Sequence, residues 1–116
     1  MLWFSTILKL LIGHALVDMV LQPQDMAKGK NRNRVPDYVP KGQKPVACWL
    51  YWLTAHALIH GAAVWIVTSF IWLGCAEIVA HWIIDFAKCE NWTNPHVDQA
   101  LHMLCKIVWV VIFVSC

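Results

Sequence analysis

Apolar residues run almost unbroken through most of this chain, and the polar residues that interrupt them recur at a spacing of four. The first apolar stretch covers residues 2–21. A second runs from 46 to 87, long enough for two helices joined by a tight turn near 69–74. A last one follows Asn94-Pro95, a polar cap and a proline that together signal a helix start. A helix needs about 20 apolar residues to cross a bilayer. The pattern therefore predicts helices over 2–21, 46–68, 74–88 and 98–116. The expected fold is all-α: an integral membrane four-helix bundle in one domain, 1–116, with a polar basic loop at 22–45 between helices 1 and 2. Pro36, Pro40 and Pro45 suggest that this loop is an extended strap. The N-terminal stretch lacks a basic leader and an AxA-like site, and it carries His14 and Asp18. It reads as a retained helix rather than a secretory signal.

Composition agrees. Hydrophobic residues make up 59% and charged ones 14%, against about 45–50% and about 25% in soluble domains. An ordinary soluble domain is excluded. The five cysteines are odd in number and form no CxxC, so they read as small apolar residues and not as a disulfide or thiolate framework. Net charge says little, but its distribution sets an orientation. Six of the nine basic residues lie in the 22–45 loop (Lys28, Lys30, Arg32, Arg34, Lys41, Lys44). The positive-inside rule places that loop in the cytoplasm, with Lys88 on the same side and both termini outside. Trp49 and Trp52 then fall near the inner interface, and Trp3, Trp65 and Trp72 near the outer one.

The polar interruptions are chemically selective. The apolar segments contain nine His, Asp and Glu residues: His14 and Asp18 in "HALVD", His56 and His60 in "HALIH", Glu77, His81 and Asp85 in "EIVAHWIID", Asp98 and His102 in "DQALH". Each has a partner four residues away, which puts the pair on one helix face. With the loops inside, all four helices present these groups in the inner half of the bundle. An ionisable side chain at mid-bilayer costs about 2.5–3.5 kcal/mol, so four carboxylates alone would cost about 10 kcal/mol. Interhelical hydrogen bonding is the plainer reading of any one pair. It does not explain why only His, Asp and Glu were selected, since Ser, Thr and Asn would serve more cheaply.

Two divalent cations would cancel four carboxylates and leave five imidazoles as ligands. Inward carboxylates and histidines on facing helices are how bundles build such sites. The candidate metal ligands are His14, Asp18, His56, His60, Glu77, His81, Asp85, Asp98 and His102. Glu77 and Asp85 lie about 12 Å apart along the helix axis and do not share an ion. Asp18, His56, Asp85 and Asp98 form a shallower level, His14, His60, Glu77 and His102 a deeper one, with His81 between. One or two of the nine orient a histidine instead of binding metal. The expected cofactor is a pair of divalent transition metal ions, zinc first, with iron or manganese as alternatives. Lys106, one turn beyond His102, either holds an anionic substrate group or pairs with a surplus carboxylate. Lys9, opposite Asp18 on helix 1, snorkels. The run "KGKNRNR" favours anionic lipid headgroups over nucleic acid, since Tyr38 is the loop's one aromatic residue.

The motifs "GHALVDMVLQ", "HALIHG", "HWIIDFAKC" and "DQALH" together resemble a family of short phage and bacterial membrane proteins, domain of unknown function 3307. The resemblance covers nearly the whole chain. It implies a small multi-helix protein of the bacterial inner membrane, phage-encoded and placed in the host, and it implies no activity. Three readings stay open. In the first, a membrane-embedded metal-dependent hydrolase acts on a lipid-linked or amphipathic substrate from the inner leaflet, with Asp85 or Glu77, whichever is not a metal ligand, as general base. The second is a structural or interaction protein that modifies the host envelope, its bundle stapled by metal. The third is metal-ion or proton transport, against which the nearly apolar outer half of the bundle argues. Partners are membrane lipids and, as an open alternative, further copies of the chain in a homo-oligomer.

Overall fold

The computed structural model describes residues 1–34, 39–44 and 46–116. Pro36, Asp37, Tyr38 and Pro45 lie outside the described residues, so the extended-strap reading is open there. All regular structure among the described residues is helical. Helix α1 (Leu2–Ala15) runs on into a π-helical turn at Leu16–Val20; α2 is a short helix, Gln24–Gly29; α3 (Trp49–Thr68), α4 (Ile71–Cys89) and α5 (Pro95–Ser115) follow. The four long helices match the expected ones, with ends shifted by a few residues. Helix α2 was not expected: it forms inside the polar loop, where no apolar period announces it, and buries Met26.

Local chemistry explains the boundaries. Ser69 ends α3 in the left-handed region (φ 62°), its N–H donating to the Trp65 carbonyl at 2.7 Å. That allows α4 to begin two residues later. Asn94 caps α5 by accepting from the Val97 N–H at 2.9 Å, and Pro95 takes the first helical position, where its missing N–H costs nothing. The π-helical turn is closed by the Leu21 N–H on the Leu16 carbonyl at 2.8 Å, five residues back. Such wide turns cost hydrogen-bond geometry and cluster at functional sites.

Helices α3 and α4 pack face to face at two glycines. A Cβ on Gly61 would stand 2.7 Å from the Gly74 carbonyl oxygen, and one on Gly74 would stand 2.8 Å from that of Gly61. Small residues that let backbones meet are the usual device for packing helices in lipid. Gly61→Ala should therefore push the helices apart and destabilise the bundle by about 1–3 kcal/mol, the usual cost of overpacking. Thermal unfolding in detergent checks this; a variant melting like the parent protein would contradict the close approach.

The interior is inverted relative to a soluble bundle. Among the described residues nine hydrophobic side chains are buried against thirteen polar or charged ones, while Leu, Ile, Val, Phe and Trp crowd the surface. Leu10, Val64, Leu73 and Val110 form an apolar cluster, with Phe70, Ile112 and Phe113 against it, which fills the end of the bundle near the α3–α4 turn. The polar residues fill the other end. Among the described residues, three helical stretches, Leu2–Val20, Trp49–Thr68 and Pro95–Ser115, are long and apolar enough to cross a membrane. Helix α4 has the length, 19 residues, but carries Glu77, Asp85 and Lys88. At the loop end, Arg32 grips Glu90 through both carboxylate oxygens (2.6 and 3.0 Å) and lies over the Phe86 ring. Its fork holds the Glu90 carboxyl below its usual range, so the clamp persists at neutral pH and loosens as acid protonates Glu90.

Candidate metal centre

All nine sequence-selected residues converge on one buried cluster; Asp18, the most exposed of them, is at 8%. Two groups within it have the geometry of metal ligands. Ligand atoms of Asp18, His56, His60 and His81 lie within 4.8 Å of one another, and so do those of His81, Asp85 and His102. The groups divide by helix and not by the two depth levels expected. The first draws on the π-helical turn, α3 and α4; the second on α4 and α5. The cause is local. The π-helical turn carries Asp18, and its Oδ1 sits between two histidines of successive α3 turns, His56 Nε2 at 3.2 Å and His60 Nε2 at 3.5 Å. His81 belongs to both groups.

His14, Glu77 and Asp98 stand outside these groups. Gln99 knits two of them in: its amide nitrogen donates to Asp18 Oδ2 (3.0 Å) and Asp98 Oδ2 (3.2 Å), and its oxygen lies 3.2 Å from His14 Nε2. Glu77 pairs with Lys106, accepts from the Trp109 indole at 2.5 Å, and lies 3.5 Å from His81 Nδ1. It is placed to orient His81. Of the two roles open to Lys106, the structure has the carboxylate pair.

Three lysines enter the cluster, two of them unanticipated. Lys30, in the loop just after α2, is buried, and its ammonium donates to Asp85 Oδ2 at 2.6 Å. Lys88 reaches Asp98 Oδ2 at 3.2 Å and Asp85 Oδ1 at 3.5 Å. In the sequence, Lys88 marks membrane orientation and Lys30 orientation and headgroup contact; the structure puts both on carboxylates. Counting Lys106, three ammonium groups face the four carboxylates, which leaves one negative charge (4 − 3 = 1). Two dications would turn that single negative charge into +3 (−1 + 4 = +3), so full compensation requires all three lysines to leave their carboxylates, whereas one dication leaves +1; Lys30, carried on the loop, is the one not held on a long helix.

The donor set fits a transition metal. Imidazole and carboxylate together suit zinc, iron or manganese. Buried polar atoms are hydrogen-bonded in about nine cases of ten, yet here both nitrogens of His81 and of His102, with Asp85 Oδ1 and His60 Nε2, have no hydrogen-bond partner. His81 is wholly buried and stacks between His60 (3.6 Å between ring centroids) and His102 (4.2 Å). None of the five cysteines joins either group or forms a disulfide.

The family described as "Protein of unknown function (DUF3307)" matches residues 6–116. Comparison with curated proteins and with solved structures gives no match.

Proposed function

We propose that this chain, which belongs to the DUF3307 family, is a four-helix membrane metalloprotein that hydrolyses an ester or phosphoester of a lipid-linked or amphipathic substrate from the inner leaflet. The observation that carries this reading is His81: fully buried, unbonded at both ring nitrogens, and common to two ligand groups. The Asp18–His56–His60–His81 group, with four ligands and no lysine on it, would hold the tighter ion. The His81–Asp85–His102 group would hold a second if Lys30 gave way. The ions would supply Lewis acidity toward a phosphoryl or carbonyl oxygen. Water is the co-reactant, and the bond to the leaving oxygen breaks. With Lys30 displaced, Asp85 keeps Lys88 at 3.5 Å; its carboxylate takes the proton from the attacking water, and Lys88, partly exposed, links it toward the loop side. Glu77 remains the alternative base.

Protein purified without chelator should carry up to about two ions per chain, zinc first; elemental analysis finding under about half an equivalent would sink the reading. Asp85→Asn should keep the first ion and the fold while abolishing hydrolysis. The three lysines on the carboxylates favour one second reading, a coordinatively closed staple in an envelope-modifying protein. Under it, Asp85→Asn loses stability and metal together. The apolar cluster at the α3–α4 turn end weighs against a transport path. The loop lies in the cytoplasm on the strength of its basic residues, and labelling of Asp37→Cys from outside intact cells, in a background without native cysteines, would reverse that orientation.

A further inference from the structure

The two oxygens of the Asp18 carboxylate have different neighbours. Oδ1 faces the Nε2 atoms of His56 (3.2 Å) and His60 (3.5 Å), which belong with it to the four-ligand group. Oδ2 accepts from the side-chain amide of Gln99 at 3.0 Å, reaching across from α5. The backbone of Asp18 is held as well. It sits in the π-helical turn, and its carbonyl accepts from the Gln22 side chain at 2.9 Å. The orientation of the Gln99 amide follows from what surrounds it. Its nitrogen donates to Asp18 Oδ2 and Asp98 Oδ2, and its oxygen lies 3.2 Å from His14 Nε2. Turned over, the amide would set its oxygen against two carboxylate oxygens with no proton between them. As placed, both N–H groups are used, and His14 Nε2 carries the proton that Gln99 accepts.

We infer that Gln99 is a positioning residue that holds Asp18 to a single metal-facing oxygen and thereby makes the first ligand group select a four-coordinate ion, zinc over manganese. The inference rests on the metalloprotein reading above and names the residue that decides which metal that centre prefers. A carboxylate binds one ion through both oxygens only when both can turn to it. Here Oδ2 is engaged by Gln99 while the π-helical turn and Gln22 pin the backbone, so that rotation is blocked. One oxygen, with one nitrogen each from His56, His60 and His81, makes four donors. Four nitrogen and oxygen donors meet the tetrahedral preference of zinc. Manganese is better served by more oxygens in octahedral geometry. Ligating carboxylates are commonly hydrogen-bonded in turn, and such partners are worth about 10–100-fold in metal affinity. An amide suits this place because it is neutral. It orients Asp18 without cancelling the charge that a cation needs, whereas Lys30 cancels that of Asp85.

The test takes the full chain in detergent micelles after chelator treatment and adds one equivalent of zinc, manganese or cobalt(II), so that the tighter site fills first. X-ray absorption of the zinc-loaded parent should give four nitrogen and oxygen neighbours. Five or more overturns the inference without recourse to any variant. Gln99→Met, which keeps length and removes both N–H groups, should lower zinc affinity by about 10–100-fold and narrow the zinc-over-manganese ratio by about tenfold. Its cobalt form should lose part of its visible absorption, which weakens when a fifth donor joins a four-coordinate ion. Asn94→Ala loosens the same end of α5 by removing its cap. It should lower the melting temperature and leave the metal ratio and cobalt spectrum as in the parent. A ratio and spectrum unaltered by Gln99→Met, or altered equally by both substitutions, overturn the inference. A parent protein that takes up no metal overturns the metalloprotein reading and this inference with it. A parent that binds zinc and manganese equally well overturns this inference alone.

Discussion

Replacing His81 with leucine should empty the centre while its neighbour His14 can be replaced at little cost to metal. His81 is the ligand that both groups share, so its loss leaves Asp18, His56 and His60 with three atoms and Asp85 and His102 with two. Removing a group that merely orients a ligand costs about 10–100-fold in affinity. Removing the shared ligand should cost at least about 100-fold for the tighter ion and abolish the weaker. Leucine keeps the side chain apolar and of similar size, so the imidazoles stacked on either side lose a neighbour without a large cavity opening. His14 lies outside both groups and contacts Gln99, so His14→Leu should retain most of the metal. Elemental analysis and calorimetric titration on the two variants decide the matter. Full metal in His81→Leu, or equal loss in both, would mean that the ligand groups are wrongly drawn.

The nine residues were legible because burial in a helical bundle imposes a period and because His, Asp and Glu are costly in lipid unless they meet something. The pairs His56–His60 and Asp98–His102 share a face for that reason alone. The Asn94-Pro95 start was legible for a different reason, since cap and proline act locally. What escaped depends on docking, which has no period. Lys30 sits in a loop whose basic residues all looked alike; nothing local distinguishes the one that folds back 55 residues along the chain onto Asp85. The π-helical turn at Leu16–Val20 left no mark either, since every residue in it also suits an α-helix. One residue did leave a signal. Lys88 stands three residues from Asp85 on the same face. Gln99 lies inside the quoted "DQALH" and gives no signal of its own because an amide is neither a ligand nor a charge, yet it bridges the π-helical turn to α5 by holding Asp18 beside Asp98.

The second large effect concerns Lys106 and Glu77, the deepest ion pair of the cluster, both about 1% exposed. Lys106→Met should destabilise the bundle by about 3–5 kcal/mol, because it strands the Glu77 carboxylate in a buried site. The Trp109 indole would still donate to it, but one neutral donor does not replace an ammonium. Glu77→Gln alone should cost a similar amount by stranding Lys106. Combining the two substitutions should cost far less than their sum, because a methionine and an uncharged amide of nearly the same shape leave no buried charge unpaired. Unfolding of the four proteins in mixed detergent micelles gives the coupling energy directly, and additive losses would show that the pair is not a unit. Metal content supplies an independent reading on the same samples. With Glu77 outside both ligand groups but beside His81, the double variant should keep the tighter ion with affinity lowered by about 10–100-fold. Loss of that ion with the fold intact would instead make Glu77 a ligand, and would place the metal one turn further from the loops than His56 and Asp18 indicate.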